Sequence, residues 1–247
     1  MDLVVLDDAE AVGAHAARVV SRMVERDSTM VWGVATGGTP LPVYRALARG
    51  SADFSAVQVV ALDEYVGLPA GHPGSYAAYV RREIADPLGI SQDDVVVPTG
   101  SGEELERRIT ELGGVDLQLL GIGRNGHLAF NEPGSPLDSR SRVVELTPST
   151  RAANAAYVDG DVPTHAITQG LGTILEARKL VLLAIGAAKA EAVAAALSGP
   201  VTPECPASVV QRHPRVTVVM DAAAASLVDR RRLVQGSEQD RLHQPQL

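Results

Sequence analysis

The sequence predicts a three-layer α/β/α fold with a mainly parallel, Rossmann-like central sheet, and three observations carry that prediction. Short apolar runs recur along the chain. Ala-rich or amphipathic stretches of helical period lie between most of them. Aromatic residues make up only 3% of a chain that is 45% hydrophobic. A core so poor in rings has to be built from Val, Leu, Ile and Ala, the mixture that suits parallel strands covered by Ala-rich helices. At 247 residues the chain is long enough to bury one full core.

Taken in order, the apolar runs that read as buried strands are Leu3–Leu6, Met30–Val34, Val57–Leu62, Val95–Val97, Leu117–Ile122, Leu180–Ile185 and Val216–Met220. Helical period marks Glu10–Glu25, Pro42–Ala48, Tyr76–Ile84 and Ala188–Leu197. Strand followed by helix, repeated, implies right-handed crossovers into a parallel sheet. Ligands of such open sheets sit at the carboxyl ends of the strands, so the chemistry is to be sought just after each run. No internal repeat or long linker divides the chain, and a single domain is expected over residues 1–230. Residues 231–247 are polar and Gln-rich with little periodicity, which reads as a frayed tail.

Charge and composition exclude several classes. The formal net charge is -8, and basic residues concentrate only in the short cluster Arg230–Arg232, so a nucleic-acid surface is not expected. A local site for a small anion is still compatible with that sign. One cysteine, Cys205, leaves no intramolecular disulfide and no cysteine cluster for zinc. The start, MDLVVLDDAEAV, lacks a basic leader, and no window approaches the roughly 18 apolar residues of a membrane span. The expectation is a cytoplasmic protein without membrane or nucleic-acid partners.

Four stretches that follow the strands carry candidate chemistry. After Met30–Val34 comes ATGGTPLPVYRAL. Gly37 and Gly38 let backbone N–H groups face a ligand, Thr36 and Thr39 add hydroxyls, and Pro40 fits the start of a helix, together a phosphate cradle. The same pattern is also an ordinary tight turn into a helix. After Val57–Leu62 come Asp63 and Glu64, which as strand neighbours address opposite faces, so one of them serves a given ligand. A strand-ending Asp that caps the next turn is the plainer alternative. After Leu117–Ile122 comes GIGRNGHLAFNEPG, where Gly121, Gly123 and Gly126 allow close backbone approach and present His127 at the rim. Glu132 is near enough to hydrogen-bond one ring nitrogen and favour the charged imidazole, an arrangement suited to acid and base work near neutral pH. A buried or capping histidine is the alternative, and a dinucleotide loop is disfavoured because no helix follows. Lastly, Lys189 opens a helix after Leu180–Ile185. A cation there opposes the helix dipole unless an anion sits beside it, although an exposed lysine needs no ligand.

In their order along nearly the whole chain these motifs resemble glucosamine-6-phosphate deaminase (isomerising), within the wider family that includes 6-phosphogluconolactonase. The matching pieces are TGGTP, LDEYVGLP with HPGSY, GIGRNGHLAFNEPG, VPTHAITQGLGTILEA and GAAKAEAV ahead of QRHP. The FNEP ending points to the deaminase branch. The resemblance implies Asp63 as the base that moves a proton from C2 to C1, and His127 as the group that opens the sugar ring, held by Glu132. It implies the Gly37–Gly38–Thr39 backbone and Lys189 as the holders of the 6-phosphate, with Thr36 and Gly123 also at the substrate. The implied substrate is a hexosamine 6-phosphate, the implied product fructose 6-phosphate with ammonia, and no metal or organic cofactor is required. A homo-oligomer is compatible with the sequence.

Two departures from the family pattern stand out. Asn125 occupies a position where many deaminases carry Asp, which should make His127 less basic. Ala156 stands where the family usually has a phosphate-gripping Arg, a loss of about 1.5–3 kcal/mol unless another group, such as nearby Arg151, substitutes. They leave a second enzymatic reading open, a dehydratase that takes N-acetylglucosamine 6-phosphate and expels the C3 hydroxyl from the same C2 carbanion. A non-catalytic sugar-phosphate sensor ranks below both, since the first 30 residues are too few and too acidic for a DNA-binding helix-turn-helix.

Overall fold

A computed structural model of the chain describes residues 1–69, 71–155, 158 and 160–229. Ala156, Tyr157, Arg230–Arg232 and the tail expected from 231 lie outside the described residues.

Strand β1 (Asp2–Leu6) leads to α1 (Ala9–Arg26), which starts where the Asp8 carboxylate accepts from the Ala11 N–H at 2.8 Å. Then come β2 (Val31–Val34), α2 (Leu41–Ala48), β3 (Gln58–Ala61) and β4 (Asp63–Tyr65). Helix α3 (Tyr76–Val80) passes through a π-helical turn at Arg81–Ala85 into α4 (Asp86–Leu88). The chain continues as β5 (Val95–Val96), α5 (Gly102–Glu111), β6 (Leu117–Gly121), β7 (Arg142–Glu145) and α6 (Pro148–Asn154). It ends through β8 (His165–Thr168), α7 (Leu171–Leu175), β9 (Leu180–Ala184), α8 (Ala190–Ser198) and β10 (Val216–Asp221).

All seven apolar runs read from the sequence are strands of one sheet, in the order β1-β10-β9-β6-β2-β3-β5, and every pairing in it is parallel. Side chains alternate between two cores, as a strand's period of two requires. Leu117 and Leu119, Val181 and Leu183, and Trp32 and Val34 face the side covered by α1 and α2. Leu120, Leu182, Val218 and Met220 face the opposite side, with Leu105 of α5 and Val193 of α8. This is the three-layer architecture. Among the buried polar side chains, Gln118 of β6 fills the space beside Gly33 of β2, where a Cβ would overlap its amide.

The structure corrects one boundary in a way that matters for function. The run Val57–Leu62 does not end with Asp63 at the tip of the same strand. The chain leaves the central sheet at Leu62, and Asp63–Tyr65 forms β4, an edge of a second, antiparallel sheet of order β4-β8-β7. Its strands span only three or four residues, too few for their alternation to stand out from the flanking loops.

Candidate active site

The four strands that precede the four motifs are consecutive in the central sheet, in the order β9-β6-β2-β3. With neighbouring strands about 4.8 Å apart, their carboxyl ends span only about 14 Å. From β2 the chain builds outward through β3 to β5, and on returning it builds the other way through β6 and β9, so the connections diverge between β2 and β6. That is the topological switch point at which such sheets bind ligands.

The turn after β2 is held from below. The Tyr44 hydroxyl donates to Ala35 O at 2.5 Å, and the Tyr79 hydroxyl donates to Gly37 O at 2.7 Å. Gly37 has φ +89°, a conformation that suits glycine, and neither Gly37 nor Gly38 has anything within 4 Å of where a Cβ would project. The amides of residues 37–39 are therefore displayed on an uncrowded turn, with Thr36 and Thr39 half-buried beside them.

Asp63 lies opposite Thr168 in the β4–β8 register and is 5% exposed. Its Oδ1 is buried without a hydrogen-bond partner among the described residues. Burial, and then the neighbouring charge of Glu64, push its pKa up to about 8. An unpartnered oxygen on a weakly acidic carboxyl is the state in which a carboxylate is a strong enough base to take a carbon-bound proton. Glu64 points to the other face and has a different occupation. The N–H groups of Tyr65 and Tyr76 donate to its Oε1 at 2.7 and 3.0 Å, and that of Ala77 donates to Oε2 at 2.7 Å.

The loop after β6 is stitched to the second sheet, since the Phe130 N–H donates to the Thr168 hydroxyl at 3.2 Å. Asp63 and the histidine loop therefore flank the same residue of β8. Within the loop the expected contact between Glu132 and the ring is corrected. His127 Nδ1 lies 3.7 Å from Glu132 Oε1, beyond hydrogen-bond range, and 2.7 Å from Asn125 Oδ1. Asn125 is the bridge, because its Nδ2 donates to Glu132 Oε2 at 2.6 Å. A carboxylate only accepts, so the amide nitrogen must face Glu132 and the carbonyl must face the ring. Nδ1 then carries a proton, and Nε2 is the nitrogen this relay leaves uncommitted. The Thr150 hydroxyl of α6 donates to Glu132 Oε1 at 2.5 Å and fixes the far end of the relay.

The expectation of a favoured imidazolium is also corrected. Burial lowers the His127 pKa below its ordinary value, the Glu132 charge raises it less, and the Lys189 charge lowers it further. Gly123 lies beneath the ring, which occupies the volume a Cβ would take, so its first duty is to make room for His127.

Lys189 ends the short 3-10 turn before α8, and the turn is anchored because both oxygens of Asp221 accept from the Gly186 N–H, at 3.1 and 2.9 Å. Burial and then the charge of Arg124 lower its pKa. Neither cation is held in an ion pair among the described residues. Arg124, Thr150, Asp221 and the clamp made by Glu64 are contributions that sequence reading missed. Arg124 alone had a visible signal, a basic residue set between Gly123 and Asn125 in a glycine-rich turn. Arg151, the substitute suggested by sequence proximity, donates its Nε–H to Val162 O at 3.1 Å. Among the described residues no group of three or more His, Cys, Asp or Glu is placed to hold a metal ion.

Known proteins resemble the chain over more than nine-tenths of its length. A glucosamine-6-phosphate deaminase of Streptomyces avermitilis is 51% identical over 240 residues, covering 92% of each chain. One of Rhodopirellula baltica is 46% identical, covering 94% of this chain and 97% of its own. Among solved structures, a monomeric glucosamine-6-phosphate deaminase superposes with a TM-score of 0.88 at 38% identity, over 92% of this chain and 100% of its own. The 6-phosphogluconolactonase of Trypanosoma brucei shares the fold at 20% identity, with a TM-score of 0.76 over 92% of this chain and 98% of its own. Residues 7–219 match the family described as glucosamine-6-phosphate isomerases/6-phosphogluconolactonase, and the chain belongs to that family.

Proposed function

We propose that this enzyme converts glucosamine 6-phosphate to fructose 6-phosphate and ammonia. The observation that carries the reading is the adjacency of β9, β6, β2 and β3, which gathers a glycine-rich turn, a buried carboxyl, an oriented imidazole and a lysine at one end of the sheet. Curated relatives at about half identity carry the deaminase name.

The residues divide the work as follows. The amides of Gly37, Gly38 and Thr39, the Thr36 hydroxyl and the Lys189 ammonium hold the 6-phosphate. Arg124 stands beside Lys189 and supplies a second cation for that phosphate in place of the family arginine at Ala156. His127, protonated on both nitrogens, gives the Nε2 proton to the ring oxygen as the pyranose opens and recovers a proton from the C1 hydroxyl, which becomes the aldehyde, while the relay through Asn125 to Glu132 keeps Nδ1–H engaged. The Asp63 carboxylate then takes the C2 proton of the open-chain aldehyde, and the recovered Nε2 proton of His127 passes to the C1 oxygen to give an enolamine. Return of the Asp63 proton to C1 leaves an imine at C2, and water adds to that carbon as ammonia departs. Each step moves a proton between groups already present, so no redox partner enters.

Purified protein is to be incubated with glucosamine 6-phosphate and, separately, with its N-acetyl form. Ammonia and fructose 6-phosphate from the first are the expected result. Ultraviolet absorbance of an unsaturated product from the second, with no ammonia from the first, would overturn the proposal in favour of elimination. Ligand-induced thermal stabilisation without turnover of either would mark a sensor.

A further inference from the structure

We infer that Glu64 is a positioning residue for this reaction: its carboxylate clamps the start of α3 from the face of β4 opposite Asp63, and so sets Tyr76, which joins the base strand to the phosphate turn and the histidine loop. The inference rests on the deaminase reading for its kinetic part only.

Glu64 is 9% exposed and accepts three backbone N–H groups, from Tyr65, Tyr76 and Ala77. The last two open α3, where N–H groups lack partners inside the helix, and Ser75 caps a third through the Ala78 N–H at 3.1 Å. A surface Ser or Asp suffices for such capping. A buried glutamate delivered from a neighbouring strand ties the helix to that strand, and the strand residue beside it is Asp63.

The consequence is transmitted through one side chain. The Tyr76 ring stacks on Phe130 with centroids 6.0 Å apart and 12° between planes, and packs on Tyr65 at 4.8 Å. Its hydroxyl donates to the Tyr65 hydroxyl at 3.3 Å and hydrogen-bonds the side chain of Thr36. Phe130 lies in the loop that carries His127, and Thr36 opens the phosphate turn. Shifting the start of α3 would therefore move three parts of the rim together.

Glu64 also acts through charge. Groups facing Asp63 include Glu64 on its own strand and the phenols of Tyr65 and Tyr76, both of which feel the Asp63 charge. Burial pushes Glu64 itself upward, and its three N–H donors pull it down. As an anion it makes ionisation of Asp63 harder.

Two substitutions separate position from charge. Glu64→Gln removes the charge and sets an amide NH2 against the Ala77 N–H. Glu64→Asp keeps the charge but shortens the reach to α3 by one methylene. The Asp63 titration can be followed by carboxyl NMR, with its resonance assigned by loss in Asp63→Asn. Amide hydrogen exchange reports the clamp, and near-UV circular dichroism confirms folding. Expected are a fall of the Asp63 midpoint by on the order of one pH unit in Glu64→Gln alone, and faster exchange at Tyr76 and Ala77 in both. In both, kcat should fall about tenfold or more, with KM changed less. Wild-type exchange, Asp63 midpoint and kcat in the two variants would overturn the inference. The exchange and titration readings need no substrate, so a wild-type protein that releases no ammonia sinks the deaminase reading separately from this one.

Discussion

Asn125 donates its amide N–H to Glu132 Oε2 at 2.6 Å, and that contact determines which ring nitrogen of His127 carries the proton held by Asn125. The amide has no freedom to turn, because its carbonyl is then the acceptor for Nδ1–H at 2.7 Å. Removing this bridge should leave the fold intact and the ring misoriented. Asn125→Ala is expected to lower kcat by on the order of 10- to 100-fold with little change in KM, as steady-state ammonia release will show. An equal rise in KM at constant kcat would mean that Asn125 binds substrate instead.

Asp63 titrates at about 8 and His127 below its ordinary value, so across neutral pH the two share one proton and the reactive pair, carboxylate with imidazolium, is the minority form. Acid protonates both groups and alkali deprotonates both. The kcat/KM profile should therefore be a bell, with its acid limb below about pH 6.5 and its alkaline limb near 8. A profile flat between pH 5 and 9 contradicts both assignments.

The same carboxyl makes a stability prediction of opposite sign to its catalytic one. Its folded pKa is raised above the unfolded value of 3.8, so the stability it confers is complete below pH 3.8 and is lost as pH rises through about 8. The full difference is on the order of 6 kcal/mol as an upper bound. Asp63→Asn cannot ionise. It should lose ammonia release by ~10²–10⁴-fold, yet exceed the wild type in Tm by a margin that grows from pH 4 to 8 and then levels. A Tm difference independent of pH would show that Asp63 does not titrate in the buried state.

Lys189 and Arg124 share the phosphate in the proposed arrangement. Lys189→Ala and Arg124→Ala should each raise KM, by about 10-fold or more if the lost contact is worth 1.5–3 kcal/mol, and inorganic phosphate should compete with substrate less well in both. If Arg124→Ala keeps the wild-type KM and phosphate inhibition, the substitute for the family arginine lies elsewhere.

Gly123→Ala tests the space beneath the imidazole. The added methyl would overlap the His127 ring, while the backbone at Gly123 has no positive φ to forbid the change. The expected result is a kcat loss much larger than the loss of thermal stability. Retained activity would place the ring elsewhere during turnover.

By itself the sequence determined the seven central strands, because strands covered largely on both faces are mostly apolar and so appear as apolar runs interrupted only by single polar residues such as Gln118 and Thr217. It also marked the turns proposed to carry the chemistry, because glycines, a threonine pair and a histidine follow those runs. It left the small second sheet hidden, since β4, β7 and β8 are too short to show a period. Only the tertiary structure decided that β9, β6, β2 and β3 are neighbours, that Asn125 rather than Glu132 touches the ring, and that the charge of Arg124 reaches Lys189. Local propensity acts over a few residues, whereas strand order and loop contacts are settled by how distant segments pack, and sequence spacing carries no record of that choice.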